Sequence, residues 1–150
     1  MKIPEASKAK LGQPIDENII KNTVLNPDGA SPGYDGIPYE FWKMLANDPR
    51  YNLKKEPTPT DNEEEPLDIV KTLTNIYLDT EKHGVHPDSA FTEGWMCPLY
   101  KKKDKQEIEN YRPITLLNTD YKIYTKAFSI RLAEVAHHAI HPNQAGFMPG

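Results

Sequence analysis

A chain of 150 residues has room for one core of ordinary size, and its 37% hydrophobic content, 14 prolines and mean hydropathy of -0.71 leave much of it as polar connection. A single cysteine, Cys97, excludes a disulfide framework; no apolar run reaches the roughly 18 residues of a membrane span, and MKIPEASKAK lacks a signal-peptide core, so a soluble intracellular protein is expected. The net charge of -4 argues against an anionic partner, but residues 1–94 carry ten basic against seventeen acidic side chains and residues 95–150 eight against five, which directs the search for an anionic ligand to the C-terminal third.

In chain order, residues 1–13 show no periodicity and are expected to be disordered. PIDENIIKNTVL offers Asp16 as an N-cap, with Ile19, Ile20 and Leu25 as the apolar side of a short helix. NPDGASPGYDGIP is loop chemistry, after which Pro38 suits a first helical turn and YEFWKML places Phe41, Trp42 and Leu45 on adjoining faces of a helix ending near Asn47. Residues 50–66, with three prolines and five acidic residues, read as a flexible acidic insertion; a metal site at Glu63, Glu64 and Glu65 is disfavoured because consecutive carboxylates seldom converge on one ion. LDIVKTLTNIYLDTEKH (67–83) makes the clearest helix, with a polar arc of only about 100° that predicts cover on most sides, and Gly84 is its expected stop.

GWMCPLYK and NYRPITLL read as the arms of a β-hairpin tipped by KKDKQEIE, and Pro98 and Pro113 within the arms imply an edge position or a bulge. Thr119 or Asp120 is the expected cap of a helix of about twenty residues, with Tyr124, Phe128, Leu132, Val135 and Ala139 as its apolar stripe and Pro142 as its end. Arg131 falls inside that stripe, either snorkelling along it or meeting a buried carboxylate. His137, His138 and His141 have helix-compatible ligand spacings, but a closed zinc site wants four ligands and Cys97 is the one thiol, so a helix terminus suited to histidine is the default. The predicted fold class is α+β, helices around a small antiparallel hairpin.

The lysine cluster with Arg112 on the facing arm is a compact way to hold a polyphosphate, since Lys brings a mobile point charge and Arg a rigid fork of donors; pairing of Arg112 with Glu107 or Glu109 is the plainer reading. The run GWMCPLYKKKDKQEIENYRPITLLNTDYKIYTKAFSIRL followed by IHPNQAGFMPG resembles the fingers region of reverse transcriptases from non-LTR (LINE-type) retrotransposons, and SPGYDGIPYEFWK resembles the segment that precedes the fingers in the same elements. The resemblance covers about residues 16–150 apart from the insertion, within a partial reverse transcriptase domain taken as 14–150.

The resemblance implies an RNA-directed DNA polymerase, a nucleotidyltransferase acting on an RNA template, a DNA primer and deoxynucleoside triphosphates with Mg2+. It assigns Lys101 and Arg112 to the nucleotide's phosphates, with Tyr100 standing where the family usually has proline, so that Lys101, Lys102 and Lys103 all stay candidates. It assigns Gln144, Gly146 and Phe147 to the template and nucleotide pocket, and Ser31, Pro32, Gly33, Asp35 and Gly36 to the template-facing segment; Gly33 and Gly36 also fit a plain turn role. The family's chemistry needs palm aspartates, one set on an aromatic-x-D-D hairpin, and no Asp-Asp pair occurs here. The expectation is therefore a fingers fragment that binds no catalytic ion, is inactive alone, and partners the palm and thumb of the same polymerase. The alternative is non-enzymatic: a weak nucleic-acid or nucleotide-binding module, or a decayed transposon relic.

Overall fold

The computed structural model describes residues 3–27, 29, 31–48 and 67–140. In order these form α1 (Glu5–Leu11), α2 (Glu17–Leu25), α3 (Tyr39–Asn47), α4 (Ile69–His83), a 3-10 turn (Ala90–Thr92), β1 (Gly94–Tyr100), a second 3-10 turn (Ile108–Asn110), β2 (Tyr111–Leu117) and α5 (Thr119–Ala139). The fold class is α+β, as the sequence predicts. The acidic insertion and the Gln144, Gly146 and Phe147 turn lie outside the described residues.

Local chemistry sets the helix ends. Asp16 accepts the Ile19 N–H at 3.0 Å to start α2, and Asp68 accepts the Lys71 N–H at 3.0 Å to start α4. Gly84 stops α4 with φ of 81°, a conformation that an L side chain rarely adopts. Pro38 stands one position before α3, with φ of -81°.

Helix α2 packs against α3, α4 and α5, and their facing residues make the core: Ile20 and Val24 of α2, Tyr39 and Ala46 of α3, Ile69, Val70, Leu73 and Tyr77 of α4, Ile123 and Ala127 of α5, and Ile15. Each large aliphatic side chain taken fully from water there stabilises the fold by about 1.5–3 kcal/mol. No strand residue belongs to this core, and both strands are exposed along most of their length.

Four expectations are corrected. Residues 5–11, expected to be disordered, form α1, which is held from outside: Arg131 Nη2 donates to the carbonyls of Lys10 and Leu11 at 2.9 Å and to that of Gln13, and Lys10 Nζ lies 3.5 Å from Glu134 Oε2. Arg131 thus takes neither expected role; it caps the end of a distant helix. In the first half of α5 the core side is turned by one residue from the predicted stripe, about 100°, so that Ile123 and Ala127 are buried while Phe128 and Leu132 are 38% and 56% exposed; further on, Val135 of the predicted stripe is buried as expected. Tyr124 joins an aromatic group with Tyr77, Phe91 and Phe128 at centroid distances of 5.1, 5.8 and 4.9 Å, which takes up that side of the helix at the edge of the core. Finally, α4 is covered on one side only: Ile69, Val70, Leu73, Thr74 and Tyr77 are buried while Ile76 is half exposed.

Candidate nucleic-acid interface

The hairpin pairs Gly94↔Leu117 through Tyr100↔Tyr111 without a break, so neither proline makes a bulge. Pro98 and Pro113 face each other directly. Antiparallel pairs alternate between bonded and non-bonded, and the Lys101 N–H donates to the Asn110 carbonyl at 2.9 Å just beyond the last pair. Counting back from that bond puts Pro98↔Pro113 at a non-bonded pair, where a missing N–H costs no ladder bond. Each proline instead removes an outward donor from its edge, which guards the two-stranded sheet against edge pairing.

The same register sorts the side chains. Trp95, Cys97 and Leu99 share one face with Leu116, Ile114 and Arg112, while Met96, Pro98 and Tyr100 share the other with Thr115, Pro113 and Tyr111. Two contacts confirm the second set: Tyr100 and Tyr111 rings lie 5.6 Å apart, and a Cβ placed on Gly94 would meet Thr115 Cγ2 and Leu117 Cδ2. The Lys101–Asn110 bond carries the alternation one residue further. It brings Lys101 to the Arg112 face as a diagonal neighbour, within the reach of two long side chains.

The tip between the strands is built rather than loose. Tyr100 and Tyr111 donate their hydroxyls to the carbonyls of Lys103 and Lys105 at 2.7 and 2.9 Å, and the buried Asn110 amide donates to the Asp104 carbonyl at 2.8 Å. Lys103 holds φ of 74°, a turn conformation uncommon for a side chain of its size. Lys105 Nζ sits 5.4 Å from the centre of the Tyr100 ring, on the face opposite Arg112. Arg112 is exposed and makes no ion pair with Glu107 or Glu109 among the described contacts.

At its base the hairpin meets the Ser31–Pro38 loop. Asn118 stands at the N-cap of α5 but does not cap it; its Oδ1 accepts the Asp35 N–H at 3.3 Å and its Nδ2 donates to the Ala90 carbonyl at 3.3 Å. The expected caps do other things. Thr119 Oγ1 donates to the Ile37 carbonyl at 2.6 Å, and the Asp120 carboxylate accepts the N–H of its neighbour Tyr121 at 2.7 Å. Lys122 Nζ donates to the Ser31 carbonyl. Gly33 is the contact point, where a Cβ would lie 2.4 Å from both Asn118 N and Leu117 C. Gly36 turns the chain with φ of 71°, the turn role that its sequence context suggests. Tyr34, on the outside of this loop, reaches the hairpin: its ring centre is 6.1 Å from that of Trp95, at 59°.

Burial shifts the charged groups beneath this junction. Asp120 is pushed above the usual carboxylate range by burial and further by nearby Asp35, against the pull of its bond from Tyr121. Lys122 is lowered by burial, with Asp35 opposing. Tyr77 is raised far above its ordinary value, chiefly by burial and then by the Asp120 charge, and its hydroxyl donates to the Asp120 carbonyl at 2.9 Å. Behind the junction, an open groove of about 890 Å3 runs between the end of α4 and residues 84–91. Asp79 and His83 approach to 3.8 Å there, yet no three metal-ligating side chains converge anywhere among the described residues.

Of the residues singled out from the sequence, Ser31, Gly33 and Asp35 come together with the start of α5, Gly36 makes the turn beside them, and Lys101 and Arg112 share one face of the hairpin. Pro32 lies in the same loop and is half-buried. The residues that sequence reasoning passed over are Asn118, Tyr34 and Trp95. Asn118 has the look of an ordinary helix cap, and its service to two distant backbones has no local signal; Trp95 and Tyr34 were in plain view inside the two motif blocks.

The arrangement defines, at the level of class, a helical core carrying an exposed basic hairpin to which an upstream loop is locked. In sequence the chain is similar to the transposon TX1 uncharacterized 149 kDa protein of Xenopus laevis, at 33% identity over 153 residues that take in 99% of this chain and 10% of that protein. The chain spans about a tenth of that relative's length. No family model matches it. Among the described residues, no helix is long and apolar enough to cross a membrane.

Proposed function

We propose that the chain is a fingers portion of the RNA-directed DNA polymerase of a LINE-type retrotransposon, in which the hairpin face of Lys101 and Arg112 holds phosphates of the incoming deoxynucleoside triphosphate or of the primer-template. The observation that carries the reading is the lock between Gly33 and Asn118, because it brings the SPGYDGIP block against the NYRPITLLNTDYK block across some eighty positions of chain. Similarity along nearly the whole chain to a transposon-encoded protein supports it independently. Chemically, an arginine fixed on a strand is preorganised for a two-pronged phosphate contact and Lys101 adds a point charge beside it.

Magnesium, implied for the whole polymerase, finds no converging set of ligands among the described residues. On this reading the stretch supplies binding and positioning, and aspartates of the palm hold the ions. The non-enzymatic alternative, a binding module or relic, shares the same phosphate contact and differs only in lacking that partner.

Filter binding of an RNA–DNA primer-template at two salt concentrations tests the assignment. Arg112→Ala should weaken binding about ten-fold, as expected for a charge-assisted contact, and flatten the salt dependence. Lys105→Ala should do less, since Lys105 is turned to the opposite face over Tyr100. Parent-like binding by Arg112→Ala would remove the phosphate role from that residue. Template-dependent nucleotide incorporation by the chain alone would contradict the fragment reading.

A further inference from the structure

Trp95 and Tyr34 come from segments some sixty positions apart, are 58% and 69% exposed, and meet at an angle of 59°, tilted rather than stacked flat on each other. A lone exposed aromatic needs no explanation, but this pair is held in place. Tyr34 is fixed by the loop that Gly33, Asp35 and Ile37 anchor to Asn118 and Thr119, and Trp95 by the ladder pair with Leu116. Trp95 also lies on the Arg112 face, four residues along the strand from the position opposite Arg112, or about 13 Å.

We propose that Tyr34 and Trp95 form a stacking platform for an unpaired base of a single-stranded nucleic acid whose backbone runs along the hairpin toward Arg112 and Lys101. The inference rests on the phosphate reading of Arg112 given above and adds to it a site for the base. Charge favours a nucleic acid over a protein occupant: residues 94–117 carry five basic against three acidic side chains, and three of the basic ones, Lys101, Lys102 and Lys103, are consecutive at the far end of the same strand. The chemistry is general, because every base has a π-face and stacking on an exposed aromatic tolerates any sequence. It also selects strandedness, since a base inside a duplex has no free face to offer.

Anisotropy measurements with three labelled probes test this on the full chain: a short oligothymidylate, a strand of equal length with abasic residues, and a DNA duplex of equal length. The parent chain should bind oligothymidylate about ten-fold more tightly than the abasic strand and should not favour the duplex. Trp95→Leu and Tyr34→Leu should abolish that preference while leaving abasic-strand affinity as it was, and Trp95→Phe should keep most of it. Arg112→Ala should weaken binding of base-bearing and abasic strands alike. Equal affinity of the parent chain for the two single strands overturns the platform and leaves the phosphate reading standing, as does a preference that survives both leucine variants. A base preference accompanied by a silent Arg112→Ala sinks the phosphate reading and leaves the platform. Binding to none of the probes removes both.

Discussion

Gly33 lies so close to Asn118 that a Cβ at position 33 would sit 2.4 Å from both the backbone nitrogen and the side-chain Oδ1 of Asn118. Glycine at 33 is therefore demanded by packing, with backbone as the immovable neighbour, rather than by an unusual φ. The contact sets where the upstream loop meets the hairpin, and through Tyr34 it sets where the aromatic pair stands.

Gly33→Ala should push the loop away from the start of α5 at a cost of about 1–3 kcal/mol, the usual range for overpacking. Asn118→Ala should cost about the same by a different route, removing the acceptor of the Asp35 N–H and one of the two donors to the Ala90 carbonyl, which keeps the Glu93 N–H. Urea unfolding of both variants measures this; a midpoint equal to that of the parent chain for both would show the lock to be energetically idle.

Arg131→Ala should release α1. Its guanidinium donates to the carbonyls of Lys10, Leu11 and Gln13, so substitution leaves the end of a seven-residue helix with only the backbone bonds from Gly12 and Gln13, and a helix that short is unstable in water by itself. Amide hydrogen exchange should accelerate in residues 5–11 and stay unchanged in α2 and α4. Arg131→Lys should restore little, since an ammonium lacks the planar fork. Uniform acceleration across all helices would instead make Arg131 a core element.

Asp120→Asn should stabilise the fold at neutral pH. Burial and Asp35 raise the carboxyl of Asp120 above its unfolded value, so the folded state binds its proton more tightly, and the contribution of this group is full below the unfolded value of about 3.9 and is lost as pH rises through the higher folded one. Asparagine keeps the oxygen that accepts the Tyr121 N–H without the charge. The gain over the parent chain should therefore shrink as pH falls and vanish near pH 4 and below; a gain that is constant with pH would assign the effect to packing.

What the sequence by itself determined was whatever depends on neighbours a few positions away. Asp16 as a cap, Gly84 as a stop and the two arms with their tip follow from side-chain oxygens, a glycine conformation and strand-forming residues, and all three are present. The motif blocks at 31–36 and 101–112 also stood out, though not the fact that they belong to two adjoining surfaces. Tertiary structure decided the rest. Helix α1 is too short to announce itself and exists where Arg131 holds it. On α5 apolar residues extend around more than half the circumference, so periodicity left two faces eligible, and packing against α2 chose Ile123 and Ala127 while Phe91 and Tyr77 took Tyr124. Asn118 reads as a cap in any local window, but its amide is spent on the Asp35 N–H and the Ala90 carbonyl, because a buried polar side chain bonds to the backbone groups that the fold brings beside it.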